Sequence, residues 1–363
     1  MHKAFKYRLY PNKSQEIILN RTLQFCSYLY NAALQERRDA YKMNKVNISY
    51  KGQSCQLPFI KQNNPEYQEI YSQVLQNVLN RIDKAFDNFF RRIKNKETPG
   101  YPRFRSSKRY NSFTYPQSGW KLQGNHLILS KIGSLKLKLH RPIQGNIKTI
   151  DIKKENDKWY AIFVCETESS PLPQTNKFIG LDVGIESFLV TSDSEFIENP
   201  HYLKKSLDKL KDAQKKVSNK KLGSNRRKKS VKLLAKRHNK IKNQRKDFHH
   251  KLSRQFINNY DLIAIEKLKI SNMIKNHNLA QSISDVGWGQ FILLLKQKAE
   301  EAAREIIEVN PRYTSQTCSS CGQIVKKDLS ERIHICDCGL QIHRDINAAI
   351  NILRLGMSLQ LKN

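Results

Sequence analysis

Residues 177–193 read KFIGLDVGIESFLVTSD, two short apolar runs separated by a tight turn. Apolar runs of this length bounded by turn-forming residues are the pattern of core strands. Asp182 interrupts the first run at its middle, where a carboxylate is costly to bury unless something positive meets it. Immediately upstream lies SSPLPQTN (169–176), a Pro- and Ser-bearing linker, so a new domain starts here.

Downstream, the stretch from His201 to Arg254 holds 21 Lys/Arg against three Asp, a net +18 that exceeds half the excess charge of the chain. Leu203, Leu207 and Leu210, then Val231, Leu234 and Ile241, predict two amphipathic helices broken near Gly223 in KKLGSNRRKK (220–229). This reads as a basic helical hairpin inserted in the domain. A third strand, YDLIAIEKL (260–268), a helix from about Gly289 to Glu305 and a strand at EIIEVN (305–310) follow.

Upstream, KAFKYRLYP (3–11) alternates like a strand, and Asn12 with Gln15 forms a capping-box pattern before a helix running to about Lys42. A polar loop with Pro58 and Pro65 leads to a second helical run, Glu66 to Lys94. Its core positions are predicted as Ile70, Val74, Leu75, Val78, Leu79, Ile82, Phe86, Phe89 and Phe90. From there to about residue 172 the pattern alternates, as in HLILS, SLKLKLH and KWYAIFVCE, which predicts an antiparallel barrel or sandwich. If the first strand joins that sheet, residues 13–95 are a helical insertion.

The whole chain has 363 residues, 65 Lys+Arg against 32 Asp+Glu and a formal charge of +33, with a pI near 9.9. That balance argues against a self-contained enzyme of small metabolites and for a polyanionic partner. With 39% hydrophobic residues the chain can bury real cores, which excludes disorder as its main state. The longest clean apolar stretches, such as FILLL (291–295), are far too short to span a bilayer, and the N-terminus lacks the apolar core of a signal peptide. The expectation is a cytosolic protein with no membrane partner.

Four of the seven cysteines crowd into TCSSCGQIVKKDLSERIHICDCG (317–339) with the spacing Cys-x2-Cys-x14-Cys-x-Cys. Two such knuckles can present Cys318, Cys321, Cys336 and Cys338 to one tetrahedral zinc, a closed and therefore structural site. His334 and His343 lie nearby as substitute or supporting groups. Three acids stand out by context: Asp182 in IGLDVGI, Glu266 in IAIEKL and Asp345 in HRDINAAINI. A shared pair of Mg2+ ions would satisfy all three and would suit phosphodiester hydrolysis, with Arg344 as a candidate contact for the scissile phosphate.

Candidate nucleic-acid contacts fall in three places. Arg226, Arg227, Lys228 and Lys229 head the dense basic strip, whose binding to phosphates would be strongly salt-dependent. Arg103, Arg105, Lys108 and Arg109 interleave with aromatics in YPRFRSSKRYNSFTYPQSGW (101–120), a pattern suited to stacking bases, although Phe113 and Tyr115 fit a β core equally. Ser72, Gln76 and Asn80, with Gln73 and Asn77 beside them, form an amide stripe on the second helix. Such a stripe can read base edges or simply face solvent.

Taken together, KAFKYRLYPNKSQ, SYLYNAALQERRDAY, GYPRFRSSKRYNSFTYPQ, IGLDVGI, IAIEKL, ISDVGWGQF, TSQTCSSCG, CDCG and HRDINAAINI resemble TnpB, the RNA-guided nuclease family of insertion-sequence transposons related to the type V CRISPR effectors. The resemblance spans nearly the whole chain. It implies an α+β multidomain protein: a β-barrel wedge domain (1–12 and 96–172) with an inserted helical recognition bundle (13–95), then a RuvC-type RNase H-like α/β nuclease domain. The nuclease domain would cover 173–307, including the hairpin 201–254, with a zinc-ribbon target-binding module at 308–342 and a final RuvC segment at 343–363. Asp182, Glu266 and Asp345 match the three RuvC acids of the family one for one, whereas His343 stands where many relatives have Asp.

The implied partners are a guide RNA from the transposon end and target double-stranded DNA read beside a short flanking motif, with the protein acting as a monomer or as a dimer on one RNA. The implied activity is Mg2+-dependent DNA cleavage. The competing expectations are a guided DNA-binding regulator that does not cut, and an unguided transposase or structure-specific nuclease.

Overall fold

A computed structural model describes residues 1–328 and 331–361 and divides the chain into two compact units, Met1–Glu168 and Ser169–Asn363.

In the first unit, β1 (His2–Tyr10) is followed by α1 (Lys13–Asn44), α2 (Tyr50–Cys55), α3 (Leu57–Asn63), a 3-10 turn at Pro65–Glu69 and α4 (Ser72–Lys94). Six strands follow: β2 (Ser112–Tyr115), β3 (Trp120–Gln123), β4 (His126–Leu129), β5 (Gly133–Lys138), β6 (Asn146–Glu155) and β7 (Lys158–Glu166). They join β1 in a seven-stranded sheet of order β2-β6-β7-β1-β5-β4-β3, antiparallel throughout. The first strand and the later ones thus share one sheet, and the helices at 13–94 interrupt it in sequence. Alternation buries Phe5, Tyr7 and Leu9 of β1 with Trp159, Ala161, Phe163 and Cys165 of β7. The sheet curls: the Tyr115 hydroxyl on edge strand β2 donates to the Ser130 carbonyl just past β4, at 2.8 Å.

The capping box at the start of α1 forms as its residues predict, Asn12 accepting from the Gln15 backbone and Gln15 from that of Asn12. Elsewhere the helices depart from the pattern. The stretch expected as a loop folds as α2 and α3, and Glu66–Lys94 is broken by extended residues Ile70 and Tyr71. A buried polar cluster accounts for α2: Gln53 accepts from Arg37 Nε at 2.8 Å and donates to the Ala33 carbonyl at 2.9 Å.

In the second unit, β8 (Phe178–Val183), β9 (Ser187–Thr191) and β10 (Phe196–Glu198) form a meander; α5 (Tyr202–Ser218) and α6 (Asn225–Asn259) form the basic hairpin. After β11 (Leu262–Glu266) come α7 (Ile270–Met273), α8 (His277–Val286), α9 (Trp288–Ala302) and β12 (Glu305–Val309). A small ribbon, β13 (Ile333–Ile335) with β14 (Gln341–His343), precedes α10 (Arg344–Gln360). The main sheet has the order β10-β9-β8-β11-β12, with β8, β11 and β12 parallel and β9 and β10 antiparallel to their neighbours. One core contains Ile179, Leu181, Phe188, Ile263, Ile265, Phe256, Trp288, Phe291 and Leu295. The opposite face of β8 and β11 is covered by α10.

Gly180 makes that cover possible. A Cβ there would lie 2.1 Å from the Ala349 carbonyl oxygen and 2.7 Å from the Leu353 nitrogen, both backbone atoms of α10. Gly356 meets Ala264 in the same way, where an added Cβ would fall 2.6 Å from the alanine methyl. Helix and sheet are therefore in near backbone contact. Among the described residues no helix is long and apolar enough to cross a membrane.

Candidate active site and thiolate cluster

The close seat of α10 brings three acids to one end of the sheet. Leu181 and Ile265 are register partners in the parallel pair β8 and β11, so one residue further Asp182 stands beside Glu266. Ala349 lies over Gly180. Four residues back along α10 is a climb of about 6 Å, and two residues forward along β8 is about 6.6 Å, so Asp345 rises to the level of Asp182. All three acids are half-buried.

Their charges feel one another. Burial, followed by the negative charges of Glu266 and Asp345, pushes the Asp182 carboxyl well above the usual carboxylate range, with Arg344 opposing. Burial also raises Glu266, against a hydrogen bond from the Thr314 hydroxyl to its Oε1 at 2.6 Å. Arg344 begins α10, its backbone N–H bonded to the Arg332 carbonyl. His343 caps the helix, its Nδ1 accepting from the Asp345 N–H at 3.2 Å. The Asp182, Glu266 and Asp345 carboxylates, with the Arg344 guanidinium opposing the shift at Asp182, make an oxygen-rich set that fits a divalent cation.

The four cysteines form the second site, and their ligand atoms all lie within 4.8 Å of one another. Cys318 and Cys338 sulfurs are 3.6 Å apart and Cys321 and Cys336 sulfurs 3.5 Å. Sulfurs at about 2.3 Å from a tetrahedral zinc would be separated by about 3.8 Å, so the cluster can hold such a metal ion. Although burial acts to raise it, the Cys318 thiol is held down to about 5 by the backbone N–H groups of Cys321 and Ser320 and by the buried His334 ring. The Cys338 backbone N–H acts to lower Cys336, yet burial and the neighbouring sulfurs push its thiol up to about 12.

The remaining candidates are dispersed. On α4, Ser72 accepts from Lys61 Nζ at 2.7 Å, Gln73 from the Ser118 N–H at 3.2 Å and Asn77 from Arg81 Nε at 3.1 Å. Asn80 is half-buried and Gln76 is exposed. Arg103, Arg105, Lys108 and Arg109 are all exposed. Phe113 and Tyr115 lie in the β core, while Tyr101 and Phe104 remain open to solvent. Phe90, placed in the core by its spacing, is instead 57% exposed and rests against Phe86 and Phe89, which with Tyr101 make an aromatic cluster at the end of α4. In the hairpin, Arg226, Lys228 and Lys229 are exposed and Arg227 half-buried in the first turn of α6.

Sequence reasoning passed over Asp285, Thr314, Asn347 and Asn351. Asp285, in α8, accepts from the Leu203 N–H at the start of α5 and from Arg245 of α6 at 3.0 Å, fastening both arms of the hairpin. The two asparagines were visible as amides four apart in the apolar stretch INAAINIL of α10. Only the structure shows that both reach the knuckle backbone.

Comparison with known proteins bears on the whole chain. Residues 162–277 match the OrfB/IS605 family, described as a probable transposase; residues 288–352 match the Cas12f1-like TNB domain. Residues 1–45 match a family described as a helix-turn-helix domain, although here they form β1 and the single long helix α1. A protein of Streptomyces pristinaespiralis named putative RNA-guided DNA endonuclease is 33% identical over 98% of this chain and 90% of its own length. A protein of Escherichia coli K12, putative RNA-guided DNA endonuclease InsQ, is 30% identical over 98% of this chain and 92% of its own. A solved Cas12f1–sgRNA–target DNA complex overlaps 97% of the chain and 99% of its own at 17% identity, with a TM-score of 0.36.

Proposed function

The chain belongs to the TnpB family, and from that membership we propose that it is an RNA-guided DNA endonuclease cutting beside a short flanking motif. The observation that carries the reading is the convergence of Asp182, Glu266 and Asp345 at the ends of two parallel strands and the start of a helix. Strand order β10-β9-β8-β11-β12 with this mixture of directions supports a RuvC-type, RNase H-like domain.

Asp182, Glu266 and Asp345 would hold two Mg2+ ions, which when bound supply Lewis-acid stabilisation to the attacking and leaving oxygens of a phosphodiester. The residues of the chain supply the rest. Glu266 accepts a hydrogen bond from the Thr314 hydroxyl, the near contact of α10 with β8 holds Asp345 near Asp182, and Arg344 offers a guanidinium for the phosphate. Cys318, Cys321, Cys336 and Cys338 would hold one zinc that stabilises the C-terminal module.

Guide RNA and target DNA suit the charge. The hairpin strip around Arg226–Lys229, and the exposed cations Arg103, Arg105, Lys108 and Arg109 beside Tyr101, Phe104 and Phe90, combine phosphate contact with rings on which bases stack. Among the amides of the stripe, Gln76 is the one exposed to a base edge. The test is to express the protein with its native flanking DNA, sequence the RNA that copurifies and supply a matching plasmid. One dominant RNA and Mg2+-dependent cutting are expected, with cutting abolished and DNA binding kept in Asp182→Ala. Heterogeneous RNA, cleavage indifferent to ribonuclease or full cutting by the variant would defeat the reading.

A further inference from the structure

Thr314 sits between β12 and the first cysteine knuckle, 4% exposed, with its hydroxyl 2.6 Å from Glu266 Oε1. The Pro311 carbonyl, at 3.1 Å, is the longer alternative acceptor for the same proton. A carboxylate that already accepts one short hydroxyl bond has its rotation fixed and its second oxygen free for another task.

What holds Thr314 in place is α10. Asn351 Nδ2 donates to the Thr314 carbonyl at 2.9 Å and to that of Thr317 at 2.6 Å. Asn347 Nδ2 donates to the Thr317 carbonyl at 2.8 Å, and its Oδ1 accepts from the Ser319 N–H at 2.9 Å. Arg354 adds a bond to the Ser319 carbonyl at 2.6 Å. Residues 347, 351 and 354 fall on one face of the helix, and both asparagines are buried. Backbone 314–319, which includes Cys318, is thereby bolted to the helix whose first turn carries Asp345.

We infer that Thr314 is a positioning residue for Glu266, and that Asn347 and Asn351 transmit the placement of α10 and the cysteine knuckle to that carboxylate. One helix then sets two of the three acids: Asp345 directly and Glu266 through the amides and the Thr314 hydroxyl. The inference rests on the three acids holding a divalent cation, and it adds that the cation affinity depends on the knuckle.

The test uses purified full-length protein loaded with zinc, free of RNA and in high salt, with Mn2+ as probe and free Mn2+ followed by electron paramagnetic resonance. Asp182→Asn defines the Mn2+ that belongs to the acids. At that site Thr314→Val is expected to weaken binding by about 10- to 100-fold. Thr314→Ser, which keeps the hydroxyl, should stay within about threefold of wild type. Asn351→Leu, which leaves Thr314 intact but frees its backbone, should lose a measurable part of the affinity, with zinc content and melting temperature showing that each variant is folded.

If Asp182→Asn binds like wild type, the acids are not the cation site and both readings fall. If Asp182→Asn loses Mn2+ while Thr314→Val keeps it, only the role of Thr314 is overturned. A Thr314→Ser protein as weak as Thr314→Val would show that keeping the hydroxyl does not keep the affinity, and would overturn it as well. Wild-type affinity in Asn351→Leu would sever the proposed link to α10.

Discussion

Replacing Gly180 by alanine should damage the second unit far more than one methyl group suggests. The new Cβ would stand 2.1 Å from the Ala349 carbonyl oxygen, about 1.3 Å inside ordinary contact, and 2.7 Å from the Leu353 nitrogen. Neither atom can rotate away, so α10 must lift or β8 must bow. Overpacking of a core costs about 1–3 kcal/mol, and a clash with helix backbone belongs at or above the middle of that range, about 2 kcal/mol. For a unit of this size that corresponds to a melting temperature lower by about 4–8 °C.

The same displacement moves Asp345 by about 1 Å relative to Asp182 and Glu266, a misplacement that lowers catalytic rates by about 100-fold. Thermal melts of the purified protein and single-turnover cleavage of a matched plasmid measure the two effects together. A Gly180→Ala protein with wild-type melting temperature and wild-type cleavage would refute the claim that backbone contact between α10 and β8 sets the geometry of the acids.

Further outcomes are expected elsewhere. Cys336→Ser should copurify with well under one zinc per chain and melt earlier, because three thiolates leave a tetrahedral ion incomplete; one tightly held zinc in that variant would contradict the four-sulfur site. His249 is fully buried, and burial holds its imidazole down to about 4, with the bond to the Val286 carbonyl opposing and the Arg245 charge assisting. The unfolded chain therefore binds the proton first. His249 contributes its full stability above about pH 6.5 and loses about 1.4 kcal/mol per unit as pH falls toward 4. Denaturant midpoints at pH 7 and pH 5 should differ less in His249→Gln than in wild type, and equal differences would count against this account.

The legible parts of the fold were those where one short-range rule decides. Alternation in SLKLKLH and KWYAIFVCE puts Leu135, Leu137, Trp159, Ala161 and Phe163 inside, and a capping box depends on two residues three apart. Helix α2 escaped because its polar sequence is anchored by Gln53 meeting Arg37, a partner sixteen residues away. Phe86 still packs against the core, but Phe90 continues the helical stripe of α4 past it into solvent, so periodicity alone assigns Phe90 to a core that has already ended. The acids could be picked out because a carboxylate in an apolar run is conspicuous. Thr314 could not, since its partner Glu266 is 48 residues distant and a threonine before a cysteine knuckle has no distinctive pattern.

The order of the pieces along the chain has a consequence for synthesis. β8 opens its sheet, whereas α10, which brings Asp345 to Asp182, is the last helix of the unit. The basic hairpin α5–α6 emerges from the ribosome well before α10 does. Because nascent chains acquire structure from the N-terminal side, the segment richest in positive charge is available to RNA while the three acids are still incomplete. Under the proposed function, a translating chain would be able to meet its RNA before the acids assemble, and a truncated product lacking α10, and with it Asp345, is expected not to cut DNA.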